Sequence, residues 1–211
     1  MKKKALVLLS GGLDSTVSLA SALKNYHLLS ALTFDYGQKS AQAEIKAAQK
    51  ISHYYKIQHR VIDLPWLKEI SKSALTDPEF DIPLKLNSVK QVWVPNRNGV
   101  FLAIAASFAE ALSCDMVITG FNKEEARAFP DNSMRYILAA NEAFKYSTLN
   151  KVQVDSFTKK MTKIEIVKKG LELNIPFHHI YSCYIGKAKM CGKCESCRRL
   201  INALEICRKE D

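Results

Sequence analysis

The chain has 211 residues, of which 47% are hydrophobic and 25% charged, and its formal net charge at pH 7 is +10. This composition is ordinary for a globular protein, and no apolar run is long enough for a membrane-spanning helix. The lysine-rich start precedes an apolar stretch too short for a signal peptide, so we expect a cytoplasmic protein.

Positive charge is concentrated toward the C-terminus, where residues 151–211 carry 13 basic and 7 acidic side chains. A basic surface attracts nucleic acid, but it also suits an anionic small substrate such as ATP, or a solvated lysine-rich face. The mixture of arginine and aromatic residues typical of RNA-stacking surfaces is absent. We therefore expect small-molecule substrates as partners, and neither nucleic acid nor a membrane.

Apolar runs alternate with helical patterns along the chain. The predicted elements are a strand at 5–10, a helix at 15–24, strands at 28–34 and 58–64 around a helix at 40–55, helices at 98–112 and 131–146 around a strand at 116–120, a strand at 151–155, a helix at 162–173 and a last helix at 195–208. This alternation predicts an α/β fold with a parallel sheet covered by helices on both faces. We expect one α/β domain over 1–175 and a small region over 176–211, with the proline-containing stretch 73–95 as a mobile lid over the site.

Residues 10–15, Ser-Gly-Gly-Leu-Asp-Ser, connect the first strand to the first helix. Glycines let the backbone approach an anion closely, and the positive end of a helix dipole adds to the attraction. The hydroxyls of Ser10 and Ser15 can also reach phosphate oxygens. The lysine of a Walker A loop and the three spaced glycines of a dinucleotide fingerprint are absent, so the sequence predicts a phosphate site of another type.

This loop resembles the pyrophosphate loop (SGGxDS) of the ATP pyrophosphatases, which split ATP into AMP and pyrophosphate and adenylate an acceptor oxygen. The resemblance implies a Rossmann-like adenine-nucleotide alpha-hydrolase sheet and ATP as a substrate. Asp14 suits a role linked to Mg²⁺, which prefers carboxylate and phosphate oxygens. The expected nucleotide-binding residues around the loop are Leu8, Leu9, Ser10, Gly11, Gly12, Leu13, Asp14, Ser15, Thr16, Val17 and Ser18.

Four cysteines lie close together near the C-terminus, in the pattern C-x7-C-x2-C-x2-C formed by Cys183, Cys191, Cys194 and Cys197. Four thiolates at this density fit a closed tetrahedral Zn²⁺ site with a structural role. An iron–sulfur cluster uses the same ligands and stays open as the alternative. Disulfides are not expected in a cytoplasmic chain.

Three further segments narrow the resemblance. They are Phe-Asp-Tyr-Gly-Gln at 34–38, Val-Pro-Asn-Arg-Asn at 94–98 and Tyr-Ser-Cys-Tyr at 181–184. With the loop and the cysteines, they are similar to the 7-cyano-7-deazaguanine synthase family over about residues 5–203. The resemblance implies an ATP-dependent carbon–nitrogen ligase of queuosine biosynthesis, which converts 7-carboxy-7-deazaguanine and ammonia to the 7-cyano product through adenylated carboxylate and amide intermediates. It also implies a homodimer with one structural zinc per chain.

The expected catalytic residues are Asp14, Ser15, Arg97 and Lys163. Arg97 is a candidate contact for a carboxylate or phosphate because a guanidinium binds oxyanions through two hydrogen bonds. Lys163 begins a helix with a predicted capping box, where a lysine could reach a phosphate. Four residues at or just after the ends of predicted strands are further candidates for binding the nucleotide or second substrate: Asp35, Gln38, Gly120 and Asn122.

The sequence departs from the family pattern at 128–135, where it reads Ala-Phe-Pro-Asp-Asn-Ser-Met-Arg. The family tends to carry Gly-Tyr-Pro-Asp-Cys-Arg there, and Arg135 could take the place of that arginine. An ATP pyrophosphatase paralogue with a different acceptor, such as a tRNA-modifying or another amide-forming ligase, therefore stays open. Thiolation of tRNA would need a catalytic cysteine near the loop, and Cys114 is the one stray candidate within the α/β domain.

Overall fold

The computed structural model describes residues 2–84 and 89–210. The elements in chain order are β1 (Lys3–Leu8), α1 (Leu13–Ala22), β2 (Tyr26–Asp35), α2 (Ala41–Tyr54), β3 (Gln58–Asp63), α3 (Pro65–Glu69), α4 (Arg97–Ala111), β4 (Met116–Thr119), α5 (Met134–Ser147), β5 (Gln153–Ser156), α6 (Lys163–Glu172) and α7 (Glu195–Glu210). Short 3₁₀ turns lie at Val89–Val92, Glu125–Arg127, Pro130–Asn132 and Phe177–His179. In the described ranges, no helix is both long and apolar enough to cross a bilayer.

The strands form one parallel sheet in the order β3-β2-β1-β4-β5. The chain moves outward from β1 to β2 and β3, and then crosses to the other side of β1 to add β4 and β5. The strand order therefore reverses between β1 and β4. In open α/β sheets, ligands bind beyond the carboxyl ends of the strands at such a reversal.

Helices cover both faces of the sheet, as predicted. Alternate residues of β1 point to opposite faces, with Val7 in one buried cluster and Leu6 in the other. The Val7 cluster also contains residues of α1, α2, α6 and α7, whereas the Leu6 cluster contains residues of α4 and α5. This arrangement confirms the α/β fold class with two covered faces.

The predicted elements are present, and their ends differ by up to three residues. The helix predicted from residue 131 begins at Met134, because Pro130–Asn132 is a 3₁₀ turn and the Ser133 hydroxyl caps the helix by accepting from the Tyr136 N–H. The predicted capping box of α6 is present between Thr162 and Glu165. The five-residue helix α3 was not predicted, since it is too short to show a period.

The C-terminal region packs into the same core as the sheet. Leu200, Ala203 and Cys207 on α7 belong to one buried cluster with Val17 of α1 and Ile166 of α6. The segment before α7 is tied to the first loop, since the Tyr181 N–H donates to the Gly11 carbonyl at 2.9 Å. The cysteine region therefore lies against the loop at 10–15.

Candidate active site

A cavity of about 260 Å³ opens at the carboxyl edge of the sheet, where the strand order reverses. Its walls come from the ends of β1, β2 and β4, the first turns of α1 and α4, and the segment 181–184. Three of the segments that carried the family resemblance, around residues 10–15, 94–98 and 181–184, thus meet at one cavity. Phe34 and Tyr36 bring the fourth segment to the same wall.

The loop at 10–15 forms a small hydroxyl-lined cradle in this cavity. The Ser10 and Ser15 hydroxyl oxygens lie 3.1 Å apart, and the Gly12 N–H donates to the Ser10 hydroxyl at 3.3 Å. Gly12 caps α1 without a side-chain hydrogen bond. Because the first N–H groups of a helix have no intrahelical acceptor, this end of the cavity suits an anion.

Gly11 permits a close approach of α2 to the loop. Its φ is +76°, and a Cβ there would lie 2.7 Å from the Ala47 Cβ and 2.8 Å from the Glu44 carbonyl. Gly120, directly after β4, faces the loop, and a Cβ there would lie 2.6 Å from the Ser15 nitrogen. Both glycines are therefore needed for backbone packing around the cradle.

Asp14 and Lys163 form an ion pair at the cavity wall, although 149 positions separate them in the sequence. The Lys163 Nζ lies 2.8 and 2.6 Å from the two carboxylate oxygens, and the side chains are 12% and 16% exposed. Asn122 also donates to the Asp14 carboxylate at 3.1 Å. Burial raises the pKa of Asp14, and the Lys163 ammonium opposes that rise.

A wider charge network surrounds this pair, and its other members, Glu124, Glu125 and Arg199, were not predicted from the sequence. Glu124 accepts from the Lys163 N–H and from Arg199 of α7, each at 2.8 Å, and Arg199 lies 3.5 Å from Glu125. Burial alone would raise the pKa of Glu124, but hydrogen bonds from the Lys163 N–H and the Arg199 guanidinium hold that pKa below its usual range. The sequence shows these charges but not the approach of α7 that connects them.

Arg97 lies in the cavity wall at the start of α4. Asn96 precedes it with a φ of +48°, the left-handed conformation that asparagine tolerates. The Arg97 guanidinium donates to the Tyr36 hydroxyl at 3.2 Å and lies 5.6 Å from the centre of that ring. Next to it, Phe34 and Phe101 stack at 4.1 Å, so a cation and aromatic rings share one side of the cavity.

Asp35 and Gln38 do not line this cavity. The Gln38 amide accepts from the Tyr36 N–H at 2.9 Å and donates to the Phe34 carbonyl at 3.1 Å and to Glu44 at 3.0 Å. The Asp35 carboxylate accepts from the Gly37 N–H. Both side chains hold the turn after β2, so a direct contact with a nucleotide is not what this geometry favours.

Other candidates are also placed behind the wall. Thr16 donates to the Gly12 carbonyl, Val17 is fully buried in the core, and Ser18 accepts from the Phe157 N–H. Arg135 is exposed on α5 and does not line the cavity, so it is not placed to replace the family arginine. The candidates in the lining itself are Leu8, Leu9, Ser10, Gly12, Leu13, Asp14, Ser15, Arg97, Gly120 and Lys163.

The described parts of the stretch 73–95 form another part of the wall. Leu75 and Val92 line the cavity, and the Lys39 N–H donates to the Leu75 carbonyl at 2.8 Å. Residues 85–88 lie outside the described residues. The position of this stretch fits the expected cover over the site, and its mobility stays a prediction.

The four cysteine sulfurs lie within 4.8 Å of one another, with Cys191 and Cys197 at 3.9 Å. A tetrahedral Zn²⁺ with bonds of about 2.3 Å would place its sulfurs about 3.8 Å apart. The geometry therefore fits a four-coordinate metal. Cys114 lies instead before β4, at the amino edge of the sheet, fully buried, and burial raises the pKa of its thiol to about 11. That position removes it from the chemistry at the cavity.

Comparisons with known proteins bear on the family of this chain. The family described as "Queuosine biosynthesis protein QueC" matches residues 4–208. The chain is 53% identical to a 7-cyano-7-deazaguanine synthase of Pelotomaculum thermopropionicum, over 95% of this chain and 96% of that one. It is 50% identical to the synthase of Carboxydothermus hydrogenoformans, over 95% and 98%.

Solved structures show the same fold at much lower identity. One is the U34-tRNA thiolase NcsA from Methanococcus maripaludis with its [4Fe-4S] cluster, with a TM-score of 0.54 at 18% identity over 99% of this chain and 66% of that one. Another is a 4-thiouridine synthetase–RNA complex with bound ATP, with a TM-score of 0.56 at 20% identity over 96% and 50%. The sequence relatives are far more specific, and the chain belongs to the 7-cyano-7-deazaguanine synthase family of enzymes.

Proposed function

We propose that this chain uses ATP to convert 7-carboxy-7-deazaguanine and ammonia to 7-cyano-7-deazaguanine. The observation that carries the proposal is the sharing of one cavity by an anion cradle, a partly buried Asp14–Lys163 pair and the Arg97 guanidinium. At one end, such a cavity could hold the triphosphate of ATP. At the other end, the Arg97 guanidinium could hold a carboxylate. The names of the relatives support this choice of product.

At the phosphate end, the hydroxyls of Ser10 and Ser15 and the first N–H groups of α1 would hold the pyrophosphate part of ATP. Lys163 would neutralise charge on the phosphate oxygens. Asp14 is the carboxylate that would hold Mg²⁺, which would supply further charge neutralisation there. Lys163 and Asp14 bond to each other, and both line the cavity beside the loop at 10–15.

At the other end, Arg97 would orient the acceptor carboxylate by a bidentate contact. The carboxylate oxygen attacks the α-phosphorus of ATP and releases pyrophosphate. Ammonia attacks the resulting acyl carbon, AMP leaves, and the amide forms with loss of a proton. The amide oxygen then attacks the α-phosphorus of a second ATP, and a second pyrophosphate and one N–H proton leave. Departure of the second AMP with the remaining N–H proton gives the nitrile.

The cysteine site would hold Zn²⁺ in a structural role, because sulfur occupies all four positions and none is open for substrate. An iron–sulfur cluster stays the alternative occupant, and metal analysis of the purified protein distinguishes the two. We also propose a homodimer in the cytoplasm, as the family resemblance implies.

A product assay tests the proposed reaction. The purified protein is mixed with ATP, Mg²⁺, ammonium and 7-carboxy-7-deazaguanine, and mass spectrometry follows the nitrile and AMP. We expect nitrile and about two AMP per nitrile, since two oxygens are adenylated. Production of AMP without nitrile, or no reaction, would contradict the proposal and indicate a paralogue with another acceptor.

A further inference from the structure

One acidic side chain in the cavity wall has no part in the chemistry described so far. Glu44, in the first turn of α2, lines the same cavity as Arg97. One of its carboxylate oxygens accepts from the Ser40 hydroxyl at 2.7 Å, and the other accepts from the Gln38 amide at 3.0 Å. Each oxygen retains acceptor capacity, because a carboxylate offers about four lone-pair directions.

The Glu44 carboxylate is held in place by neutral groups and not by a cation. Among the residues that the structure describes, its bonding partners are Ser40 and Gln38, and Arg97 acts on it only through its charge. Burial raises the pKa of Glu44, and those two hydrogen bonds and the Arg97 charge oppose the rise. A carboxylate that is oriented but left without a counter-ion is placed to receive donors from a ligand.

Gln38 fixes the direction of this carboxylate. Its side-chain oxygen accepts from the Tyr36 N–H and its nitrogen donates to the Phe34 carbonyl as well as to Glu44, so the amide orientation is determined by the backbone. Gln38 is 4% exposed. A second layer of hydrogen bonds of this kind is what keeps a binding group in one geometry.

We propose that Glu44 is the residue that recognises the deazaguanine ring, by accepting hydrogen bonds from its ring N–H and its 2-amino group. This inference rests on the proposed function. The two donors are adjacent on one edge of a 2-amino-4-oxo pyrimidine ring and form a fork that matches the two oxygens of a carboxylate. Arg97 and Glu44 would then contact opposite ends of the acceptor, its carboxylate and its donor edge.

The same contact separates the two substrates, which both carry purine-like rings. Adenine presents one amino donor beside a ring-nitrogen acceptor, and a carboxylate repels that lone pair. Guanine-type rings present donors at both positions. A carboxylate at this point in the wall therefore favours the acceptor over ATP, a discrimination that an apolar wall could not provide.

The ribose hydroxyls of ATP are the competing donors for Glu44. They could also donate hydrogen bonds to the Glu44 carboxylate. The two assignments predict different effects of a Glu44 substitution on the affinities for ATP and for the acceptor. If Glu44 bound the ribose, its substitution would weaken ATP and leave the acceptor unaffected. Binding experiments on the two substrates separately therefore distinguish the two assignments.

The first test uses the unaltered protein. Equilibrium binding is measured by calorimetry for 7-carboxy-7-deazaguanine and for its analogue without the 2-amino group. We expect the analogue to bind roughly 10- to 100-fold more weakly, because it leaves one oxygen of a charged acceptor unpaired. Equal binding of the two compounds would overturn the inference.

The second test uses Glu44→Gln, which keeps the size of the side chain and the acceptor for Gln38 but presents an N–H donor to the ligand. We expect a similar 10- to 100-fold loss for the acceptor, little further loss on removing its 2-amino group, and an unchanged Kd for ATP. Glu142→Gln on the exposed face of α5 is the matched control, expected to bind both substrates normally. Melting temperatures show whether each variant folds.

The outcomes separate this inference from the proposed function. Nitrile production by the wild type with equal binding of the two compounds overturns the role of Glu44 and leaves the function standing. A higher Kd for ATP in Glu44→Gln, with an unchanged Kd for the acceptor, also overturns the assignment of Glu44 to the deazaguanine ring. A wild-type protein that binds neither compound overturns both.

Discussion

At the scale of single residues, the ion pair of Asp14 and Lys163 makes the sharpest prediction. Lys163→Ala removes a cation that we place against the phosphates, so we expect the rate of pyrophosphate release to fall by about 10²-fold or more. The folded state should change little, since the pair is one partly exposed interaction. Pyrophosphate release and thermal melting of the same preparations measure the two effects.

Lys169→Ala is the matched control, because Lys169 lies on the same helix and also forms an ion pair, with Glu172 at 2.6 Å. That pair is on the surface, where such interactions are worth about 0–1 kcal/mol. We expect its activity and stability to stay near those of the wild type. A fully active Lys163→Ala would show that the ammonium does not act on the phosphates.

Gly11 gives a second prediction at this scale, concerning stability. Gly11→Ala combines a left-handed backbone with a Cβ inside contact distance of α2, and we expect a loss of about 2 kcal/mol or more in the free energy of unfolding. Gly192→Ala shares the left-handed φ, but its Cβ would have 3.8 Å of space. The control should therefore cost only about 1–2 kcal/mol. Equal losses in chemical denaturation would contradict the steric argument.

The sequence predicted best the placement of residues that lie together in one short motif. Ser10 and Ser15 line one cavity, and the four cysteine sulfurs lie within 4.8 Å of one another, as their spacing indicated. Glu44 and Arg199 reach the cavity region through tertiary contacts, and no local pattern in the sequence separates them from solvated charges. Gln38 is the opposite case. It follows β2, near the cavity, but its side-chain amide bonds to the backbone of the turn and to Glu44.

At the scale of elements, the cysteine cluster and the loop at 10–15 are connected through two contacts. Tyr181, two positions before Cys183, donates its N–H to the Gly11 carbonyl. Helix α7 begins next to Cys194, and its Arg199 donates to Glu124. Glu124 in turn accepts from the Lys163 N–H. Loss of the metal should therefore disturb the phosphate end of the cavity as well as the cysteines.

Cys194→Ser tests this connection. We expect loss of bound metal, a lower melting temperature, and faster amide hydrogen exchange in residues 10–16 as well as around the cysteines, because metal binding stabilises the fold that presents its ligands. Cys114→Ala is the control, since Cys114 is a buried thiol away from the cluster. Exchange in residues 10–16 that stays at the wild-type rate in the metal-free variant would contradict the connection.

The helices and strands were predictable from the sequence where the spacing of apolar residues or a helix-capping motif was clear. The capping box at Thr162 and Glu165 located the start of α6, and apolar runs located all five strands. The short helix α3 and the 3₁₀ turns were missed because they are too brief for a period to be visible. The order β3-β2-β1-β4-β5 needed the structure, since spacing along the chain does not say on which side of β1 the fourth strand lies.

At the scale of the whole molecule, the question is whether residues 176–211 are an appendage. The sequence predicted a separate region there, because its cysteines and charge differ from the rest. In the fold, its buried side chains join the core of α1 and α6, in the set Ile180, Leu200, Ala203 and Cys207. We therefore propose that residues 1–175 and 176–211 unfold as one cooperative unit.

A chain ending at residue 175 should consequently fail to fold cooperatively. Burial of Leu200 and Ile180 alone is worth about 1.5–3 kcal/mol each, against a net stability of about 5–15 kcal/mol for a typical domain. Truncation would also expose Val17 and Ile166 and leave the Gly11 carbonyl without its donor. We expect binding of a hydrophobic dye and a broad, shallow thermal transition by circular dichroism, where the full chain melts sharply. A sharp transition in the truncated chain, within a few degrees of the full-length one, would instead show that the sheet domain is self-sufficient and that the cysteine region only adds to a finished core.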